Sequence, residues 1–163
     1  MTASATLAFA HDAGAIPVVG FGTSPLTGGL TAETVLTALK TGYRHIDTAR
    51  KYGTEAAVGE AMRASGLPRR EIFLTTKVSH ENLRPADFAR SVEDSLKALR
   101  VDHVDLLLVH WPNPQIDVAE YMPALAKAKR DGLARHIGVA NFPTALLDRA
   151  VALCPEPLAV LQA

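Results

Sequence analysis

Along the chain, short runs of Val, Ile and Leu alternate with longer stretches in which apolar residues return every three or four positions. The short runs predict strands at Val19 to Gly22, Tyr43 to Asp47, Ile72 to Val78, Val104 to His110, His136 to Ala140 and Leu158 to Gln162. They lack the clean polar alternation of a sheet with one wet face, as parallel strands covered on both sides do. The stretches between them predict helices near Thr31 to Thr41, Glu55 to Ser65, Pro85 to Leu99, Val118 to Arg130 and Pro143 to Leu153. In the third of these, Phe88, Val92, Ser95, Leu96 and Leu99 make one core-facing stripe, with Arg90, Glu93, Asp94 and Lys97 mostly outside it. Gly42 and Gly66 stand where a helix end takes a left-handed residue, and Thr31 with Thr34 offers half a capping box. Ahead of these units, Thr6 to Ala10 and Ile16 to Val19, joined through His11-Asp12-Ala13-Gly14, predict a hairpin.

Repeated strand-helix units imply a parallel sheet with right-handed crossovers, either doubly wound or a (β/α)8 barrel of the TIM type. A doubly wound nucleotide fold wants G-x-G-x-x-G in its first strand-to-helix turn, and Gly20-Phe21-Gly22 is not followed by the third glycine. That favours the barrel. No linker or low-complexity segment divides the chain, so residues 1–163 are expected to be one domain. A whole barrel takes about 250 residues, and this chain stops inside its sixth strand candidate. The expectation is therefore an incomplete barrel, about strands 1 to 6 with an N-terminal hairpin.

Composition narrows the function classes. The chain is 48% hydrophobic and 21% charged, enough apolar content for a core. Seventeen basic residues balance seventeen acidic ones and nowhere cluster, which argues against a nucleic-acid or membrane-surface partner. The single cysteine, Cys154, makes no intrachain disulfide and belongs to no zinc-spaced cluster. With no signal-peptide pattern and no apolar run of about 20 residues, a cytoplasmic protein is expected.

The chemistry collects at the C-terminal ends of the strand candidates: Gly22-Thr23, Asp47, Lys77, His110, Asn141 and Gln162, with Tyr52 in the loop after the second strand. In parallel barrels this rim is where active sites form. Each residue has an ordinary explanation when taken singly. Asp47 could cap the second helix, Tyr52 pack in a loop, Lys77 extend off a strand end, and His110 sit hydrogen-bonded in the core. Together they make a reaction centre. A Tyr hydroxyl titrates near 10 and needs its anion stabilised to exchange protons at neutral pH, which an adjacent Lys77 would do. Asp47 would keep Lys77 charged and oriented, and His110 would hold a substrate carbonyl oxygen. A metal-dependent barrel hydrolase is an alternative, with His45 and Asp47 on one strand face and Lys77 and His110 completing a ligand set.

The stretches that carry these residues resemble the aldo-keto reductase family. Gly42-Tyr43-Arg44-His45-Ile46-Asp47-Thr48-Ala49 followed by Tyr52-Gly53 and Glu55, then Thr75-Thr76-Lys77, Asp105 to Pro112, Gly132-Leu133 and Ile137 to Phe142, occur in the family's order. The likeness runs from about Ile16 to the last residue. Within the family, Glu55-Ala56-Ala57-Val58-Gly59, Glu81-Asn82-Leu83 and Trp111-Pro112-Asn113-Pro114 are most similar to bacterial 2,5-diketo-D-gluconate reductases.

The resemblance implies NADPH-dependent reduction of an aldehyde or ketone, including a keto-sugar acid, with Tyr52, Lys77, Asp47 and His110 catalytic. It implies that NADP(H) contacts Gly22, Thr23, Asp47, Asn141 and Gln162, that Trp111 and Ser24 border the substrate, and that no metal is used. Two departures stand out. Ala140 replaces a Ser that often holds the carboxamide, and Ser24 replaces a large aromatic residue. In the family the phosphate-gripping segments follow the sixth strand, beyond the last residue of this sequence. A non-catalytic or assembling half-barrel, self-associating through exposed edges, is therefore the other reading of the chain.

Overall fold

Helices predicted from periodicity form within one residue of each expected end. The computed structural model describes residues 5–27 and 29–163. A hairpin of β1 (Thr6–Ala8) and β2 (Ala15–Pro17) precedes β3 (Phe21–Gly22), α1 (Leu30–Thr41), β4 (His45–Asp47), α2 (Glu55–Ala64), β5 (Phe73–Val78) and α3 (Pro85–Leu99). Then come β6 (Val104–Val109), α4 (Val118–Arg130), β7 (Ala134–Ala140), α5 (Thr144–Leu153) and β8 (Val160–Gln162). Gly42 and Gly66 take the left-handed conformation at φ 111 and φ 70, closing their helices as expected.

Two local expectations are corrected. Thr31 caps nothing: α1 starts at Leu30, Thr31 is buried inside the first turn, and the Thr34 hydroxyl turns back to the Leu30 carbonyl at 2.7 Å. The formed capping box belongs to α4, where Asp117 and Glu120 satisfy one another's backbone N–H groups. The second strand begins at His45 rather than Tyr43, because the Tyr43 N–H donates to the Ala38 carbonyl and still belongs to the end of α1.

Strands β3 to β8 form one parallel sheet in chain order. A doubly wound sheet reverses its order at a switch point, whereas an unreversed series of crossovers is barrel topology. The sheet is strongly curled. In a flat sheet the ends of β4 and β8, four strands apart, would stand about 19 Å from one another at about 4.8 Å per strand. Here the Gln162 side-chain amide donates to Asp47 at 2.8 Å. Among the described residues β3 and β8 each pair on one side only, so this is an incomplete (β/α)8 barrel with the hairpin at its base.

Strand alternation divides the core in two. Leu74, Leu107, Val109, Ile137 and Val139 face outward and pack with Phe88, Val92, Leu99, Tyr121 and Leu125 of the helices. Leu106, Leu108 and Ala140 face inward against Ile16, Phe73 and Val160. The hairpin is fastened below this inner cluster by Asp12, which accepts from Lys129 Nζ at 2.7 Å and His136 Nδ1 at 2.9 Å. The His136 ring lies against Phe9 and stacks on Phe73. No helix among the described residues is long and apolar enough to cross a membrane.

Candidate active site

An open cavity of about 520 Å³ runs along the inner face of the curled sheet, from Leu7, Ile16 and Val18 of the hairpin region to Gly22, Thr23, Ser24, Asp47, Tyr52, Lys77 and Gln162 at the upper rim. Lys77 is the innermost charge. It lies one residue before the end of β5, on the inward side, and is 2% exposed, so its ammonium must find partners in the protein. Nζ donates to the Asp47 carboxylate and, at 3.1 Å, to the Thr48 carbonyl. Asp47 ends β4 and accepts from Gln162 with its second oxygen. It does not cap α2, whose first turn follows Thr54.

Tyr52 closes a single 3-10 turn, Arg50–Tyr52, that stops at Gly53 with φ 69. An ion pair from Arg50 to Asp94 at 3.0 Å ties this turn to α3. The Tyr52 ring lies 5.3 Å from Lys77 Nζ. Its hydroxyl stands 3.4 Å from His110 Nε2, with the two rings edge to face. His110 follows β6 and is 7% exposed. Burial first, and then the Lys77 charge, push its imidazole down to about 4, so it is neutral at ordinary pH. A neutral ring presenting Nε2 beside a phenol offers two polar groups to one small ligand atom.

The other expected residues are less uniform. Gly22 faces open space, and a Cβ added there would meet nothing within 4 Å. Ser24 borders the cavity, whereas His110 and the half-exposed Trp111 after it are not among the residues that line it. Asn141, at φ 62, donates to the His110 carbonyl at 2.9 Å, which steadies the histidine from behind. His45 lines the same cavity, hydrogen-bonded to Thr75 at 2.9 Å, with its imidazole lowered chiefly by burial. Among the described residues no three His, Cys, Asp or Glu side chains gather as a metal set.

Sequence reading missed three buried groups. Glu55 is 4% exposed and accepts from the Thr76 hydroxyl at 2.6 Å, and its burial raises the carboxyl. Thr48 and Thr54 bond to each other and to Thr23. Their positions beside Asp47, Tyr52 and Gly22 were the available signal.

Residues 7–163 match the model of the aldo/keto reductase family. The chain is 48% identical over 140 residues to a methylglyoxal reductase, DkgB, of Escherichia coli O157:H7, covering 85% of this chain and 52% of that protein. Its fold is similar to a crystal structure described as a 2,5-diketo-D-gluconic acid reductase B, with TM-score 0.92 and 45% identity over 97% of this chain and 56% of the other. It is similar also to a Bombyx mori aldo-keto reductase in complex with NADP, at TM-score 0.89 and 30% identity, covering 99% of this chain and 58% of that one. The chain thus spans about half the length of the curated relatives it matches.

Proposed function

The chain belongs to the aldo/keto reductase family, a family of oxidoreductases, and from that premise we propose that its rim is the proton-transfer half of an NADPH-dependent carbonyl reductase. The observation that carries this is the approach of the Tyr52 hydroxyl to His110 Nε2 beside the buried Lys77–Asp47 pair. A carbonyl oxygen between phenol and imidazole would accept a hydrogen bond from each, which fixes its direction and stabilises the charge that develops on it. Tyr52 would then give its proton to that oxygen. Lys77 places positive charge near the Tyr52 ring, and Asp47 holds Lys77 in place.

The residues present fit the nicotinamide end of NADP(H). The open space over Gly22 leaves room for a flat ring, and the amides of Gln162 and Asn141 offer the donor and acceptor chemistry that a carboxamide needs. When bound, NADPH supplies the hydride. Small carbonyl compounds, among them methylglyoxal and keto-sugar acids as the names of the relatives suggest, are the substrates we propose. Loss of NADPH absorbance with either compound, abolished in Tyr52→Phe, tests the reading. A folded chain that binds no NADPH at millimolar cofactor would overturn it.

A second reading is favoured by the outer sides of β3 and β8, which pair with no strand among the described residues, and by exposed Leu7, Val18, Val19 and Leu161. In it, this stretch by itself assembles through those edges without turning over. Sedimentation of the chain would give a monomer under the first reading and larger species under the second.

A further inference from the structure

The geometry points to a triangle of buried threonine hydroxyls, Thr23, Thr48 and Thr54, as the device that positions Tyr52, an assignment that rests on the reductase reading above. The three side chains come from different parts of the chain. Thr23 follows β3 and donates its N–H to the Asp47 carbonyl at 2.9 Å. Thr48 follows Asp47, and its carbonyl receives the Lys77 ammonium. Thr54 precedes α2, and its carbonyl accepts the N–H of Val58. Their hydroxyls lie 3.0, 3.1 and 3.0 Å apart, and the residues are 0%, 0% and 3% exposed, so they satisfy one another away from bulk solvent.

Three hydroxyls carry three protons, and a closed triangle uses all of them when each donates in the same sense. Thr23 donates to Thr48. That leaves Thr48 to donate to Thr54 and Thr54 to Thr23. Every oxygen then gives one hydrogen bond and accepts one. Replacing any one threonine by valine keeps the shape but strands one donor and one acceptor in a dry site, which is costly.

The triangle acts on Tyr52 through the loop it closes. Thr48 and Thr54 are the two ends of the segment that carries Tyr52. Inside it the backbone makes two turn hydrogen bonds, Tyr52 N–H to the Ala49 carbonyl and Gly53 N–H to the Arg50 carbonyl. A turn this short has little stiffness of its own. The bond between Thr48 and Thr54 fixes its width, and the bonds to Thr23 fix its height above β3. Lys77, held by the Thr48 carbonyl, is referenced to the same point. Tyr52 is thus a positioned side chain and the threonines are positioning residues.

The test uses the 163-residue chain with its three tyrosines, Tyr43, Tyr52 and Tyr121, labelled with 13C in the ring. Tyr52→Phe identifies the Tyr52 signals. Thr54→Val is expected to move or broaden those signals while Tyr43 and Tyr121 stay within a linewidth, and Thr54→Ser, which restores the hydroxyl, to return them. In the NADPH assay Thr54→Val should lower kcat by about 10-fold or more with KM for the carbonyl nearly constant, and Thr54→Ser should recover most of it. Thr23→Val breaks the same triangle and replaces Thr54→Val if the latter does not fold. Unmoved Tyr52 signals, or equal movement of all three tyrosines, would overturn the assignment. So would failure of both valine variants to fold, since the hydroxyls would then be holding the fold. Because the ring spectra need no turnover, a wild-type chain that oxidises no NADPH counts against the reductase reading and leaves the triangle's geometry separately measurable.

Discussion

The two ends of the curled sheet use the same chemistry to different effect. At the upper rim Asp47 lies between Lys77 and Gln162, and at the base Asp12 lies between Lys129 and His136. At the base the polar groups answer one another: the aspartate accepts from a lysine and a histidine, and the histidine ring is held between Phe9 and Phe73, so the cluster fastens the hairpin. At the rim the ion pair is complete, yet a phenol and a neutral imidazole stand beside it with one long contact between them. A largely shielded ion pair alone is therefore a weak sign of function, since both ends have one. Unused hydrogen-bonding capacity at the edge of a cavity, here the Tyr52 hydroxyl with His110 behind it, is the stronger sign.

The contrast predicts opposite consequences for removing a polar group at each end. Tyr52→Phe takes away the proposed proton donor and should cut NADPH-dependent turnover by about 10²- to 10⁴-fold. The lost hydroxyl makes one contact at 3.4 Å, so urea midpoints should scarcely move. A large loss of stability would place Tyr52 with the structural groups. Lys77→Met should abolish turnover and also cost about 3 kcal/mol, because it strands a carboxylate that is 15% exposed. Adding Asp47→Asn to that variant should recover part of the stability and none of the activity. Urea titrations of the single and double variants measure this directly.

At the base, Asp12→Asn should lower stability by about 1–2 kcal/mol and leave turnover unchanged. Burial by itself would raise the Asp12 carboxyl, but hydrogen bonds and charge from Lys129 and His136 outweigh it and hold it below its ordinary 3.8. A lowered carboxyl stabilises the fold above its unfolded value, and that contribution is lost as pH falls from about 3.8 through the folded value. The wild type and Asp12→Asn should therefore converge in stability in strong acid. A difference that persists there would mean that the aspartate acts through its shape rather than its charge.

Much of the rim was legible in the sequence, whereas the base was not. Asp47, Lys77 and His110 stand at strand ends, and strand ends follow from short apolar runs, so their convergence needed only the topology. Tyr52 was legible through the motif around it. The Asp12 cluster joins residues 117 and 124 positions apart, and nothing local to Asp12, Lys129 or His136 marks them as partners. Gln162 was expected to meet a ligand and was found on Asp47, because the curl of the sheet sets that distance. Thr48 and Thr54 flank expected site residues, but threonine suits strands and loops alike, and only their common burial with Thr23 shows that their hydroxyls meet. The half capping box at Thr31 failed because the residue lies inside the first turn of α1, where its side chain is buried.

The smallest effect belongs to the histidine of the rim, His110. His110 titrates at about 4 in the folded chain against 6.5 for a free imidazole, through burial and the Lys77 charge. Between those values the unfolded chain binds a proton that the folded chain refuses, so stability falls as pH is lowered through this window. From about pH 7 to about pH 6 the contribution is at most about 0.7 kcal/mol, because the unfolded histidine is only partly protonated. His45 and His103 are lowered as well, chiefly by burial, and add slopes of the same sign. The informative quantity is therefore the difference between the wild type and His110→Gln, measured by urea unfolding at both pH values. If His110 is neutral beside Lys77, the variant should lose less stability on acidification than the wild type. Equal losses would mean that folding leaves the His110 imidazole unshifted, and a smaller loss in the wild type than in the variant that the folded imidazole is charged; a charged His110 would bind a carbonyl as an acid rather than as the neutral donor on which the division of labour with Tyr52 depends.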